Sequence, residues 1–366
     1  MDKLFVSGMF RSGTTLLARL LNVHPYINMA SDPFAPLFKE YRNEIANGHL
    51  KLNLDPESPL DSYDLLEDLK LFRSIQNANF KISIRNTSTN AIRDKINKHC
   101  APYTPKLLPY IPILEGIKYS DVLELGYEIL NKITGTDSTK ITGIKEVWTN
   151  EFVPHFLSLN ACNKVILIIR DPRGIVASNF STNNHRYPFT FLCRQWRKLT
   201  ELANSYSQIF DRVLILRYED LIMSPFDSIT EICDFLNVDY HPNMMNPALF
   251  TDGFGNRWFQ NTSYDESINR FNENTINKWR MVLTQEQTDF IEAICHDQML
   301  SFDYIRNVKP KDKYIDSILN FKEIESGIAN WIKPYVNNDN RGEIDRLKTN
   351  QKNTLYNLTQ KIEYFN

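Results

Sequence analysis

Short apolar runs alternate with longer amphipathic segments through much of the chain. Each run predicts a buried strand, and the runs lie at 4–8, 141–147, 165–170 and 213–218. Helical periodicity follows them, with helix-start signals at Ser224-Pro225 and Thr284. Strands that alternate with helices form parallel sheets covered on both faces. The pattern therefore predicts an α/β fold, an open parallel sheet flanked by helices.

Two regions depart from this alternation. Between about residues 34 and 137 the apolar positions follow helical spacing, which predicts a mainly helical insertion. The insertion either covers a binding cleft or serves as a packing layer. From residue 309 the chain is more polar and helical. We therefore expect a domain of residues 1–308, which includes the insertion, and a helical C-terminal extension of residues 309–366.

The extension carries a heptad-like pattern that two polar residues, Lys348 and Gln351, interrupt. The pattern is too short to predict a coiled coil, but it leaves open a homo-oligomer formed through this helix. Its apolar positions are Ile344, Leu355, Leu358, Ile362 and Phe365.

The composition is that of a globular, enzyme-sized protein. With 366 residues, 42% of them hydrophobic, the chain can bury a full core. Its net charge of −2 argues against a nucleic-acid binder, although a local basic pocket could still hold a polyanion. No apolar run reaches membrane-spanning length and no secretory segment precedes the first strand. We therefore expect a cytoplasmic protein with no integral membrane segment.

The five cysteines show no metal-ligand spacing, and no other cluster of metal ligands is present, so we expect no metal site. Four of the cysteines lie in apolar or helical patterns, which predicts buried free thiols. These are Cys162, Cys193, Cys233 and Cys295.

The strongest chemical signal is the loop after the first strand, which runs from Gly8 to Thr15. Gly8 and Gly13 have the spacing of a nucleotide P-loop, where backbone N–H groups and a helix N-terminus bind phosphate. Thr14 stands where such loops carry a lysine, and Arg11 supplies a cation from within the loop. A phosphate-containing ligand is therefore expected, but a nucleoside triphosphate fits poorly.

This loop, with His24-Pro25 after it, resembles the 5′-phosphosulfate loop of sulfotransferases that use 3′-phosphoadenosine 5′-phosphosulfate (PAPS). A second motif extends the resemblance: an apolar run ends in Arg170, Asp171-Pro172 can start a helix, and Ser178 lies on that helix. Arg170 and Ser178 match the family's 3′-phosphate-binding arginine and serine in type and spacing. The resemblance implies a PAPS-dependent sulfotransferase that releases 3′-phosphoadenosine 5′-phosphate (PAP) and needs no metal.

The resemblance also implies how the donor is held at its 5′ end. Arg11 would face the bridging oxygen, where negative charge develops as the S–O bond breaks, and would affect turnover more than cofactor affinity. Backbone N–H groups and hydroxyls of the loop would bind the 5′-phosphate through Ser12, Gly13, Thr14 and Thr15.

Further downstream, the resemblance suggests contacts to the adenosine. Tyr218 or Asp220, which follow a strand, could orient it, although Tyr218 also fits core packing. In a later glycine-rich loop, Trp258 could stack on adenine and Arg257 could add a cation for the 3′-phosphate. The chain departs here from the Arg-Lys-Gly pattern of cytosolic sulfotransferases.

Two residues match the family's catalytic positions. Lys145, at the end of a predicted strand, matches a lysine that contacts the transferring group in tyrosylprotein and heparan-type enzymes, with Glu146 as its partner or as an acceptor-binding carboxylate. Asp32 matches the position of the glutamate base of tyrosylprotein enzymes and is one methylene shorter. The alternative for Asp32 is a turn residue before Pro33.

Three histidines are considered as the general base that would deprotonate the acceptor. His24 is expected to close the loop helix, whereas His155 and His185 are reserve bases.

Two other functions stay open. A P-loop kinase of small metabolites is disfavoured by Thr14 and by the Arg170 and Ser178 pair, which a kinase does not need. A catalytically silent nucleotide-binding scaffold is also consistent with the motifs. The leading hypothesis is in-line transfer of a sulfuryl group to a hydroxyl of a carbohydrate, glycolipid or small metabolite, because Arg11 and Asp32 resemble the carbohydrate and tyrosylprotein branches.

Overall fold

The computed structural model describes residues 1–60, 69–182, 187–258, 264–265, 270–305, 309–323 and 340–349. A five-stranded parallel sheet forms its centre. The strands are β1 (Asp2–Gly8), β2 (Ile27–Ser31), β3 (Ile141–Val147), β4 (Lys164–Ile169) and β5 (Val213–Arg217). They lie side by side in the order β2-β3-β1-β4-β5. The predicted α/β fold is therefore confirmed.

Helices account for most of the remaining described chain. The α-helices are α1 (Thr14–Asn22), α2 (Ala35–Asn43), α3 (Leu69–Asn77), α4 (Thr89–Cys100), α5 (Tyr119–Thr134), α6 (Val153–Leu159), α7 (Pro172–Thr182), α8 (Phe189–Ile209), α9 (Tyr218–Met223), α10 (Pro225–Leu236), α11 (Asn274–Asn277), α12 (Trp279–Val282), α13 (Gln285–Ser301), α14 (Lys311–Asn320) and α15 (Arg341–Thr349).

Shorter elements connect these helices and strands. A π-helix spans Glu44–His49, and 3₁₀ helices span Pro105–Ile113, Asn150–Phe152, Pro242–Met245 and Pro247–Leu249. A small antiparallel ribbon pairs β6 (Tyr264–Asp265) with β7 (Arg270–Phe271). Over the described ranges, no helix combines the length and the apolarity that crossing a lipid bilayer requires.

The sheet separates two apolar cores, as the alternation of side chains along a strand requires. Phe5 of β1 packs with Phe38 of α2 in the core on the side of the insertion. Leu4 and Val6 face the opposite core, which α1 and α10 cover. Both faces of the sheet are therefore buried, so a ligand can approach the strands at their ends.

Strand β2 is the one strand of the main sheet that the sequence pattern did not predict. It is short and carries polar side chains, which hide the apolar signal of a buried strand. Asn28 is nevertheless buried, because its side-chain amide donates to the carbonyl oxygen of Leu130 (3.2 Å). Strand β2 places Asp32 directly after its carboxyl end, beside β3.

The insertion between β2 and β3 is helical, as predicted, with α2 to α5 packed above the sheet. Two side chains tie it to the strands. The hydroxyl of Tyr127 donates to the carbonyl of Leu4 (3.0 Å), and the hydroxyl of Thr104 donates to the carbonyl of Ser31 (2.6 Å). The second bond fixes the segment after α4 against the carboxyl end of β2.

The predicted helix starts are present. The carboxylate of Asp171 accepts a bond from the backbone N–H of Arg173 (2.8 Å), so it caps α7, whose first residue is Pro172. Thr284 and Gln287 form a reciprocal capping box at α13, and α10 begins at Pro225.

The prediction of buried thiols is wrong for one cysteine. Cys193, Cys233 and Cys295 are buried and free, but Cys162 is exposed. Its backbone N–H donates to the side chain of Asn160 (2.8 Å) in the turn before β4, so the residue belongs to a surface turn and not to a helix.

The described part of the C-terminal extension packs on α8 and α13. Glu343 is buried and accepts bonds from Arg197 Nη2 (2.9 Å) and Arg194 Nε (3.3 Å). Ile344 and Leu347 join the core of the same chain. Ile344 is therefore not a free dimer contact, and the other apolar positions of the heptad-like pattern lie outside the described residues. The domain boundary at residue 309 stays a prediction.

We expect Glu343→Ala to destabilise the whole protein, because it removes the buried carboxylate that two arginines of α8 share. Removing one partner from a buried ion pair costs about 3–5 kcal/mol. Thermal unfolding followed by circular dichroism measures the loss. Asp316→Ala, at an exposed position of α14, is the matched control and should unfold like the wild type. Equal melting temperatures for the two variants would contradict the conclusion that Glu343 holds the C-terminal extension against α8.

Candidate functional site

A cleft of about 710 Å³ opens at the carboxyl ends of β1, β2, β3 and β4. The loop after β1, the end of α4, the start of α7 and residues 252–258 also contribute to its walls. The cleft lies at the edge where an open α/β sheet binds its ligands. Ser12, Glu146 and Asp220, which were also predicted to take part in the site, do not line it. The predicted residues that it brings together are Arg11, Gly13, Thr14, Thr15, Asp32, Lys145, Arg170, Ser178, Tyr218, Arg257 and Trp258.

The loop after β1 closes on itself through backbone geometry. Ser12 donates from both its N–H (3.0 Å) and its hydroxyl (2.6 Å) to the carbonyl of Met9, which accounts for its buried position away from the cleft. Arg11 (φ 65°) and Gly13 (φ 100°) adopt left-handed conformations. A Cβ on Gly13 would lie 2.6 Å from a ring carbon of Tyr218, so only glycine fits.

This geometry leaves the first turn of α1 directed at the cleft. The first N–H groups of a helix have no partner within the helix, and they carry the positive end of its dipole. Thr14 and Thr15 begin α1 and line the cleft with Gly13. The arrangement can hold a phosphate group.

One arginine, Arg11, belongs to this loop, and a second, Arg170, lies beside it. Arg170 Nη1 donates to the carbonyl of Arg11 (3.0 Å), and its Nη2 donates to the carbonyl of Thr275 (3.2 Å). Arg11 Nε donates to the hydroxyl of Ser178 (2.8 Å). Burial, and then the charge of Arg170, lowers the pKa of Arg11. Among the described ion pairs, neither guanidinium is bound to a carboxylate, so the pair is suited to bind a polyanion.

The position of Arg11 differs from the simplest interpretation of the sequence. That interpretation separates Arg11, at the reacting end of the donor, from Arg170 and Ser178, at the 3′-phosphate. In the structure, the guanidinium of Arg11 contacts Ser178 directly. The two predicted phosphate sites therefore share one network.

Tyr218 packs against Arg170 and so supports this network. Its hydroxyl bonds to the hydroxyl of Thr275 (2.9 Å), and the guanidinium carbon of Arg170 lies 4.3 Å from the centroid of its ring. Tyr218 is almost fully buried and touches Gly13 as well. Asp220, the alternative residue for orienting adenosine, is exposed, faces Arg217 (3.8 Å) and does not line the cleft.

The residues 252–258 form the outer wall. Trp258 is held by a bond from its N–H to the carbonyl of Phe250 (2.8 Å), and exposed Arg257 pairs with Thr251 in an isolated β-bridge. Both side chains line the cleft. Their contacts to a nucleotide stay predictions.

Lys145 and Asp32 form an ion pair inside the cleft. Their side chains are only 3% and 13% exposed. Asp32 has a left-handed backbone (φ 48°), and its N–H donates to the carbonyl of Lys145 (2.7 Å). Asp32 therefore makes the turn before Pro33 and also presents a carboxylate to the cleft. Its role as the base stays a prediction.

The structure places Glu146 in neither expected position, as a partner of Lys145 or as an acceptor-binding carboxylate. Adjacent residues of a strand face opposite sides, and Glu146 is fully buried away from the cleft. Its carboxylate accepts a bond from the N–H of Phe34, at the start of α2. Burial raises the pKa of Glu146 well above its usual range, and the charge of Asp32 adds to this effect. Glu146 thus anchors α2 to the sheet.

The predicted histidines do not enter the described cleft. His24 accepts from the N–H of Tyr26 (3.1 Å) and bonds the carbonyl of Asp239 (2.9 Å), which agrees with its expected role after α1. His155 is fully buried 2.5 Å from the carbonyl of Ile75, and burial lowers its pKa to about 4. It cannot reach an acceptor. His185 lies outside the described residues.

The cleft is also lined by residues that were not predicted, among them Arg19, His99, Tyr103 and Asp252. For Arg19 a signal existed, because it follows Thr15 by four residues and therefore lies on the same face of α1. The other three come from the insertion and from the outer wall, and only packing brings them to the cleft. No group of three or more His, Cys, Asp or Glu residues able to hold a metal occurs in the described ranges.

Comparison with known proteins gives the family. The model described as Sulfotransferase family matches residues 3–242. Carbohydrate sulfotransferase 1 of Rattus norvegicus is 25% identical over 175 residues, 38% of each chain, and that of Danio rerio is 26% identical over 157 residues, 36% of each chain. The aligned part thus spans well under half the length of these relatives.

Among solved structures, the sulfotransferase domain from the curacin biosynthetic pathway has a TM-score of 0.49 at 18% identity, covering 83% of this chain and 98% of that domain. The family model, in contrast, extends over most of this chain, from β1 to beyond α10. By that match, this chain belongs to the sulfotransferase family.

Proposed function

We propose that this protein transfers a sulfuryl group from PAPS to a hydroxyl group of a carbohydrate or a related glycolipid or small metabolite. The observation that carries the proposal is the joined network of Arg11, Arg170 and Ser178 beside the phosphate loop. Two neighbouring arginines without a bound carboxylate among the described residues suit a ligand with more than one negative group. The curated relatives, which are carbohydrate sulfotransferases, support a sugar hydroxyl as the acceptor.

The residues fit a donor with phosphates at both ends of its ribose. The loop from Gly13 to Thr15 would hold the 5′-phosphate through helix N–H groups and hydroxyls. Arg170 and Ser178 would hold the 3′-phosphate. PAPS, when bound, supplies a sulfuryl group on a phosphate leaving group. PAP is the expected product.

The other side of the cleft would carry out the transfer. The acceptor oxygen forms a bond to sulfur while the bond from sulfur to the bridging phosphate oxygen breaks. Asp32 would take the hydroxyl proton of the acceptor. Lys145, which already lies against Asp32, would meet the negative charge that develops on the transferring group, and Arg11 would do so at the departing phosphate.

A kinase is less well supported, because Thr14 replaces the P-loop lysine and a kinase leaves the Arg170 and Ser178 site without a role. A silent binding protein would hold PAPS without turnover. Metal-independent chemistry, a cytoplasmic location and a homo-oligomer are predictions from the sequence that accompany this proposal.

We expect Arg170→Ala to raise the dissociation constant of PAP by about tenfold or more, since a charge-assisted contact contributes about 1.5–3 kcal/mol. Calorimetry with PAP and with adenosine 5′-monophosphate separates the causes. If Arg170 binds the 3′-phosphate, the loss is confined to PAP. An equal loss for both nucleotides would mean that Arg170 only shapes the loop through its bond to Arg11.

Lys145→Ala should lower kcat by about 10²-fold with little change in PAP affinity, because Lys145 contacts Asp32 and not the arginine network. The measurement is mass spectrometry of a panel of sugar and glycolipid acceptors incubated with PAPS. Arg11→Ala is the comparison variant, and it should weaken PAP binding as well, through its contact with Ser178. PAP binding without sulfated product from any acceptor in the wild type would favour the silent protein.

Asp32→Asn should lower single-turnover transfer by roughly 10²–10⁴-fold while PAP still binds, because the amide keeps the shape and loses the basicity. Asparagine also tolerates the left-handed backbone of this position. Asp32→Glu keeps the carboxylate but is less suited to that backbone, so it should retain part of the activity. Near-normal transfer by Asp32→Asn would exclude Asp32 as the base and direct attention to His99, which lines the same cleft.

A further inference from the structure

Arg19 is an unusual cation in this cleft. It projects from α1, lines the cleft and is only 8% exposed. Its Nε atom is buried without a hydrogen-bond partner, and its guanidinium takes part in none of the hydrogen bonds and ion pairs found among the described residues. A buried guanidinium is normally paired, because desolvation without compensation is costly.

The carboxylates that face Arg19 are already engaged. Asp252 accepts bonds from the N–H groups of Phe254 and Asn256, both at 2.9 Å, which shape the outer wall. Asp32 is bound to Lys145. Their charges oppose the effect of burial, yet the pKa of Arg19 is still lowered. Arg19 thus has anions in its surroundings and none in contact.

His99, at the end of α4, shows the same pattern. Its Nε2 is buried without a partner, and it lines the cleft close enough to sense the charges of Asp32 and Lys145. Arg19 and His99 therefore offer nitrogen atoms without partners on the Asp32 side of the cleft. The arginine network of the nucleotide side contains neither of them.

We propose that Arg19 and His99 form a subsite for an anionic group, a carboxylate or a sulfate, that the acceptor carries near the hydroxyl to be sulfated. This inference rests on the proposed function, because it assigns the Asp32 side of the cleft to the acceptor. It narrows the acceptor class to acidic sugars or related acidic hydroxyl compounds. Arg19 supplies the charge, and His99 supplies a hydrogen bond at the same group.

The melting temperature of an Arg19 variant distinguishes the proposed anion subsite from a purely structural role of Arg19. An arginine that holds the fold together loses contacts when it is replaced, whereas Arg19 has no partner to lose. Arg19→Met keeps the length and apolar stem of the side chain and removes an uncompensated buried charge. Its melting temperature should therefore equal or exceed that of the wild type.

The experiment compares three methyl β-glycosides that differ only at carbon 6: glucoside, glucuronide and glucoside 6-sulfate. Their dissociation constants are measured by calorimetry on PAP-saturated protein, so turnover is not needed. The wild type should bind at least one acidic glycoside about tenfold more tightly than the neutral one. Arg19→Met should abolish this preference and leave PAP affinity unchanged. Lys106→Met, which removes an exposed charge outside the cleft, should keep the preference.

Four results would overturn the proposal: no preference in the wild type, a preference that survives Arg19→Met, weaker PAP binding by that variant, or a lowered melting temperature. The third would place Arg19 in the nucleotide site. Failure of sulfuryl transfer from PAPS is a separate result. It would reject the proposed function while the binding data still decide whether an anion subsite exists.

Discussion

The left-handed turn at Gly13 is the constraint on which the nucleotide side of this protein depends. Its φ of 100° and its contact with the Tyr218 ring let the chain pass from β1 into α1 with the helix N-terminus facing the cleft. The same Tyr218 ring lies under Arg170, which in turn holds the carbonyl of Arg11. One aromatic ring thus contacts both the loop and Arg170, so the loop and the two arginines are joined by direct contacts.

The positive charges of Arg11, Arg170 and Lys145 differ in whether a carboxylate neutralises them. Arg11 and Arg170 repel each other beside a hydroxyl and backbone carbonyls, so a ligand with two phosphates would relieve a cost already present in the folded chain. Lys145 is instead neutralised by Asp32. This pair keeps a carboxylate in a largely buried position, where an unpaired charge would be expensive. Two cations that no described ion pair joins to a carboxylate, and one lysine–aspartate ion pair, therefore lie within the same cleft.

The sequence was most informative where the site is local. Gly8 to Thr15 are consecutive, and Arg170 and Ser178 flank the first turns of one helix. The resemblance to the motifs of the family, in residue type and spacing, was therefore enough to single them out. The error at Glu146 was avoidable, since neighbours on a strand face opposite sides. Strand β2 was harder to predict, because its polar residues hide its burial. Its absence from the prediction also hid that Asp32 and Lys145 end adjacent strands.

The wall around Asp32 could not be predicted because distant segments build it. The hydroxyl of Thr104 binds Ser31 and holds the end of α4 against β2, which brings His99 toward Asp32. The outer wall closes on the same segment, since a Cβ on Gly253 would lie 1.9 Å from the carbonyl oxygen of Tyr103. Such contacts leave no periodic or motif signal in the sequence. The loop after β1 is thus encoded locally, whereas the wall around Asp32 depends on how the insertion packs.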